Sequence, residues 1–403
     1  MSQTTSQKRY TPAAITFIVA QVVLISTVVA LPLIRSAKLQ RETRLPEFHN
    51  APREIRPTYN DPRVVTDDQL AMVLHKLRPQ LRQEKPKINY VDHALRFWGA
   101  DAEFKDQQCL SGQEMRQMLL DHRSFSSFWG DDAKSLVYSH PDEDRIAVRT
   151  QAGNATASHV DHTLATLAEV GTPLDYPVIA PDRETDVEAI LRQALRVFSV
   201  NQQEYEWTTL AWALYATDGQ PWYSHEGQEV TFDRLARRIM RQDLEQGVCF
   251  GNHRLYTLTI LLRVDEEQDI LSDAARSEVL DHLMDATQRL VATQSVEGWW
   301  DSNWPNGKPL DAEQRMDALS RRMLATGHAL EWWAMAPAEL HPPREVLARA
   351  GQWLVRELEQ MDQAKIDKTY TFLTHVGRAL ALWRGDFPAD LLRKLPEVNN
   401  EHL

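Results

Sequence analysis

Hydrophobic positions along this chain fall into two kinds of pattern. From Ala13 to Ile34 the residues read AAITFIVAQVVLISTVVALPLI, with Gln21 the strongest polar interruption, and a helix of that length spans a bilayer. This predicts a single transmembrane segment at 13–34 after a short tail, 1–12. A cleaved signal peptide, with Val28 and Ala30 before the cut, is the competing reading; the apolar stretch is longer than its usual core. Residues 35–65 hold Pro46, Pro52, Pro57 and Pro62 among many charges, and they predict an extended tether.

Beyond Thr66 apolar residues recur at helical spacing, as in DDQLAMVLHKLRPQL, where Asp67 and Asp68 suit a helix N-terminus. Further amphipathic helices are expected at Asp186–Phe198, Thr231–Leu244, Ser277–Thr293 and Arg344–Leu358. Alternation at Ser135–Ser139 and Arg145–Thr150 predicts a β-hairpin turning at His140–Asp144, inside an insertion at 100–156.

Six segments share one pattern, a small residue or Thr followed by Leu. They start at His93, His162, Thr208, Tyr256, His328 and Arg378, spaced by 69, 46, 48, 72 and 50 residues. A period near 48, with a second helix in each interval, describes about six helical hairpins. Such hairpins close into a ring or stack as an open solenoid, and six favours closure. The predicted fold is all-α: an (α/α) toroid over 66–391, with a polar tail at 392–403.

In a closed ring, equivalent residues of the inner helices form layers around one lumen. The first layer is His93, His162, Thr208, Tyr256, His328 and Arg378. One turn earlier stand Tyr90, His159, Tyr205, His253, Ala325 and His375; one turn later Arg96, Ala165, Ala211, Thr259, Glu331 and Ala381. The Leu at plus two points the other way, towards the outer helices. Six of the chain's 14 histidines fall into two layers, which predicts a polar lining.

That lining has two readings, a polar plug of mutually bonded side chains or a binding or catalytic lumen. For acid/base chemistry the candidates are His93, His162, His253, His328, Tyr205, Tyr256, Glu331 and Arg378, with Tyr90, Arg96, His159 and His375 as substrate contacts. Arg96 and Arg378 would neutralise a carboxylate. The inventory resembles that of α/α-toroid lyases acting on uronate-containing polysaccharides, which implies a glycan or another polar substrate. A divalent metal has two candidate sets: His93, His159 and His162, and His93, His328 and His375. Glu331 with Glu204 or Glu206 is a candidate glycosidase pair. A non-catalytic scaffold or receptor at the membrane is the alternative function; isoprenoid binding would need an apolar, aromatic-lined lumen, and the polar layers argue against it.

In LVATQSVEGWW, Leu290, Gln294, Gly298 and Trp300 have the spacing L-x3-Q-x3-G-x-W. This resembles the QW repeat of the terpenoid-cyclase and prenyltransferase-like α/α toroids and implies that fold. The DxDD and DDxxD motifs do not occur, so the superfamily's catalytic residues do not carry over. Trp299, Asp301, Asn303 and Trp304 form either a sugar-stacking rim or the packed turn of that repeat.

Charge narrows the partners. The net charge is −12, yet the first 45 residues set six basic side chains against Glu42 alone, a net +5 that leaves −17 for the body. An acidic body is unsuited to nucleic acid, whereas the basic flanks suit lipid headgroups. The flanking charges do not decide on which side of the bilayer the body lies. Cys109 and Cys249 offer at most one disulfide.

Overall fold

The computed structural model describes residues 11–395 apart from 43–44, 84, 140–144, 151–154, 203, 225 and 308–315. Helix α1 (Pro12–Glu42) is followed by α2 (Asp67–Lys76), α3 (Ile88–Trp98), α4 (Gly112–Leu120) and α5 (His122–Trp129). Strands β1 (Val137–Ser139) and β2 (Ile146–Val148) precede α6 (His162–Glu169), and β3 (Pro177–Ile179) and β4 (Glu184–Asp186) precede α7 (Val187–Val197) and α8 (Glu206–Tyr215). After β5 (Trp222–Tyr223) and β6 (Glu229–Val230) come α9 (Phe232–Arg241), α10 (Asn252–Gln268), α11 (Asp273–Thr293), α12 (Ala318–Met335), α13 (Arg344–Gln360), α14 (Gln363–Leu382) and α15 (Pro388–Lys394).

Over Pro12–Pro32, α1 has a mean hydropathy of 2.5 and buries nothing against the body. It is long and apolar enough to cross a membrane, a property shared with signal sequences.

Contacts among the remaining helices separate two sets. Helices α3, α6, α8, α10, α12 and α14 each pack on the next, and α14 packs back on α3. They carry the six repeated segments, and nearly all their residues are buried. The others lie outside: α4 on α3, α9 on α8 and α10, α11 on α10, α13 on α12, and α2 on α13 and α14. In α11 Leu283, Ala286, Thr287 and Leu290 are buried, the one-sided stripe of a helix with one wet face. Side-chain caps start these outer helices: Thr66 bonds the Gln69 amide in a capping box, and Asp186 and Ser272 cap α7 and α11.

Several expected boundaries shift. The β-hairpin forms, Val137 pairing with Val148 and Ser139 with Ile146, while its turn at His140–Asp144 lies outside the described residues. The segment taken as an insertion also contains α4, which packs on α3 as the outer helix of the first hairpin. Two further hairpins, β3–β4 and β5–β6, are only two or three residues per strand, too short for alternation to reveal. The toroid's expected end at Leu391 falls inside α15; of the polar tail, 396–403 lie outside the described residues.

The tether is not a free linker: α1 continues to Glu42, and residues 45–65 form a strap across the ends of the inner helices. The His49 and Arg53 amides donate to the Tyr215 and Leu214 carbonyls at the end of α8, and the Asp61 amide to Trp383 after α14. Tyr59 donates to the Ala336 carbonyl after α12, and Arg53 pairs with Glu267 at the end of α10. The last carbonyls of a helix have no intrahelical partner, and the strap's donors supply one.

The QW-like segment locks α11 to α13. The Gln294 side-chain amide donates to the carbonyls of Gly298 (3.0 Å) and Val346 (2.9 Å), and the Trp300 indole donates to Leu290 (2.7 Å). Trp300 and Trp304 are buried, Trp299 lies under Arg322, and Asp301 pairs with Arg321 and Arg322. These contacts are those of a packed turn. Gly298 has φ +112°, and a Cβ there would lie 2.4 Å from the Arg349 carbonyl oxygen. Gly298→Ala should therefore cost more than about 1 kcal/mol of stability, read as a lowered urea midpoint at unchanged slope.

Candidate functional site

Each inner helix sends one ring into the centre. His93 of α3 stacks on His162 of α6 (centroids 4.6 Å apart), which meets Trp207 of α8 (4.4 Å). Trp207 meets His253 of α10 (4.3 Å), His253 meets His328 of α12 (4.6 Å), and His328 meets His375 of α14 (3.8 Å). His375 returns to His93 at 5.4 Å. The six contacts form a closed circuit of five imidazoles and one indole, all buried.

One or two turns further along lies a charged layer. Arg96 bonds Glu169 (2.6 Å) and Glu331 (2.8 Å), and Arg378 bonds the same carboxylates at 3.0 and 2.6 Å. The Tyr256 hydroxyl donates to Glu169 and accepts from Arg378 (3.1 Å). Two guanidiniums and two carboxylates, none more than 5% exposed at the side chain, thus neutralise one another. Bidentate pairing is the geometry in which buried Arg and Glu recover their lost hydration.

The histidines divide by partner. His93 and His328 use Nδ1 on the carbonyls of Asn89 and Leu324 (both 2.8 Å), His162 uses Nδ1 on Asp92 (2.9 Å), and His375 Nδ1 faces Glu331 at 3.0 Å. Those acceptors place the proton on Nδ1 and leave Nε2 with a lone pair. Burial holds the pKa values of His93, His253 and His328 well below the usual histidine range, neighbouring imidazolium charges acting in the same direction, and it lowers His375 as well. Burial alone would raise Glu331, but Arg96, His375 and Arg378 hold it well below the carboxylate range. For Glu169, likewise, Arg96 and Arg378 outweigh burial. His93, His253, His328 and His375 are therefore held as neutral imidazole above balanced ion pairs.

Compared with the expected layers, the convergent set mixes registers. His93, His162 and His328 come from the first layer, but His253 and His375 come from the one before, because α10 and α14 are offset by a turn. Tyr256 and Arg378 accordingly drop into the charged layer beside Arg96 and Glu331. Tyr205 is not in the circuit: its ring packs on Phe198 and faces Arg238 of α9. Tyr90 stands at the margin, donating to the Lys368 carbonyl (2.8 Å). His159 pairs with the part-exposed Glu204 at 2.8 Å. Glu206 is bound to Arg254 (3.0 Å), whereas Glu331 is held by Arg96, Arg378 and His375.

Three central residues escaped the sequence reading. Glu169 lies seven residues beyond His162, two turns along the same face, a spacing that would have found it. Asp92 and Trp207 each precede an aligned position by one residue, outside the three-residue rows used to define layers.

Two groups among the described residues bring metal-ligating atoms within 4.8 Å of one another: Cys249, His253 and His328, and His328, Glu331 and His375. Of the expected trios, His93–His159–His162 does not assemble, since each ring turns to its own acceptor; from the second, His328 and His375 meet without His93. Cys109 and Cys249 form no disulfide.

A small void of about 10 Å³ borders Glu169, Tyr256 and Arg378 in the charged layer. A cleft of about 430 Å³ opens on the strap side between Pro52, Glu54, Arg56, Phe387 and Arg393, with Arg96, Glu169 and Arg378 in its wall. A second, of about 280 Å³, lies beside the β1–β2 hairpin and mixes polar side chains, Arg145, His159, Asp161 and Gln193, with apolar ones. No protein-family model, curated protein or solved structure matches this chain.

Glu169→Gln leaves Arg96 and Arg378 sharing one carboxylate, and a loss of about 3–5 kcal/mol in urea unfolding is expected. A pH effect follows from His93. Its folded pKa lies below the unfolded value near 6.5, so it contributes nothing above that pH; below it the unfolded chain gains the proton first and stability falls by ~1.4 kcal/mol per pH unit. His253, His328 and His375 are lowered in the same direction and add to it, so unfolding curves at pH 7.5, 6.0 and 5.0 should fall more steeply than this single-group slope, and His93→Phe should be flatter by one group's share.

Proposed function

We propose that this protein is a membrane-anchored α/α toroid whose centre is a polar plug, and that it serves as a scaffold or receptor. One observation carries the reading: the side chains facing the centre are buried and packed ring against ring, above guanidiniums and carboxylates that pair with one another, an arrangement that leaves little room for a substrate. The cyclic packing of the six inner helices supports the toroid, as does the QW-like lock between α11 and α13.

The anchor would be α1, over 13–34. Only residues 43 and 44 separate its end from the strap, a reach of roughly 10 Å, so the body is held with its strap end towards the lipid. Helix beyond the anchor, to Glu42, adds about 12 Å of stalk. Binding would then use the strap-side cleft and the outer surface.

The rival reading is an enzyme performing acid/base chemistry on a uronate-type glycan, and the cleft's contact with Arg96 and Arg378 favours it. Both guanidiniums already hold carboxylates, so a sugar acid would have to displace Glu169 or Glu331. His162→Ala separates the two readings because it leaves Asp92 buried without its imidazole. For a plug, the full chain in detergent should lose about 3–5 kcal/mol of stability, and uronate oligosaccharides should not raise its melting temperature. A glycan-induced rise in the parent protein that disappears in the variant would replace the scaffold with the enzyme.

A further inference from the structure

Going beyond the scaffold reading, we propose that Cys249, His253 and His328 form a zinc-type metal site joining α10 to α12. The Nε2 atoms of His253 and His328 lie 3.1 Å apart, close to the edge of a tetrahedron built with zinc–nitrogen bonds of about 2.0–2.1 Å. The Cys249 sulfur completes a set whose ligand atoms all fall within 4.8 Å of each other. One thiolate with two imidazoles suits zinc among the abundant divalent ions, whereas magnesium and calcium take oxygen ligands.

Three features independent of that distance support ligation. His328 is oriented by its Nδ1 bond to the Leu324 carbonyl (2.8 Å), which leaves the Nε2 lone pair directed at His253. Metal-bound histidines are held by the same kind of bond from the remote nitrogen. The backbone also deforms to present the sulfur: Cys249, Phe250 and Gly251 take φ values of +52°, +59° and +80° in succession. Two non-glycine residues in the left-handed region cost of order 1–3 kcal/mol each, and a metal bond would offset that cost. Finally, Cys249 is half-buried while both histidines are buried, which gives an ion a way in. Three protein ligands leave a fourth position for water, and on binding the thiol releases its proton to solvent.

His375 stacks on His328 at 3.8 Å and faces Glu331. It thereby positions His328 from the far side of the ring without ligating the same ion.

The test is cobalt(II) titration of the full chain, purified in detergent without a histidine tag and stripped with chelator. One equivalent should bind and produce both a thiolate-to-cobalt charge-transfer band and tetrahedral d–d bands, and zinc should displace them. Cys249→Ser should lose the charge-transfer band while Cys109→Ser retains it, helix content by circular dichroism certifying both. Parent protein that takes up neither cobalt nor zinc overturns the proposal, and so does a charge-transfer band that survives in Cys249→Ser. Should Cys249→Ser fail to fold, the parent titration and the Cys109→Ser control still decide. His162→Ala, which tests the plug, leaves all three ligands in place, so the two readings fail separately.

Discussion

Arg96, Arg378, Glu169 and Glu331 are charged side chains almost wholly withdrawn from solvent, and none of them can be buried alone. Each guanidinium reaches both carboxylates, and the four come from α3, α14, α6 and α12. Those helices are separated by up to 282 residues of chain (Arg96 to Arg378), so the charges are satisfied only when the last inner helix returns to the first. An intermediate missing one of these helices would carry an unpaired buried charge, at a cost of several kcal/mol. Closure of the ring and neutralisation of its centre are therefore one event.

The aromatic circuit obeys the same logic with weaker forces. Imidazole is small, flat and able to be neutral, so five of them can share a space with an indole without leaving a charge. Each ring is tethered at Nδ1 or by its neighbours, and the tethering fixes tautomers. A centre built this way is more specific than an apolar one of equal volume, because a helix offset by one turn would bring its ring opposite a guanidinium instead of another ring. The offset of α10 and α14 belongs to that specification.

Strap and plug are physically continuous. The strap's amides bond the carbonyls at the ends of α8 and α14, and the cleft beneath it is walled by Arg96, Glu169 and Arg378. A force or ligand acting at the strap would be felt first at the charged layer, then one turn deeper at the histidines.

What the sequence determined by itself is local. Hydrophobic periodicity placed the start of the apolar N-terminal helix and most outer helices to within a few residues, while it missed α4 and the extension of α1 to Glu42, and the recurring Leu marked all six inner ones. It also singled out nine of the twelve side chains that form the ring and the charged layer or support them; helical spacing of three or four is a property of one helix and can be read from one segment. Tertiary structure alone decided how far each inner helix slides along its neighbour, and hence that His253 and His375 join His93 while Tyr205 turns away. That offset is set by packing between helices distant in sequence, which leaves no trace in the period of either. Likewise Pro-rich composition reads as a free tether because it lacks periodicity, yet residues 45–65 are ordered by helix-end carbonyls that only the folded body presents.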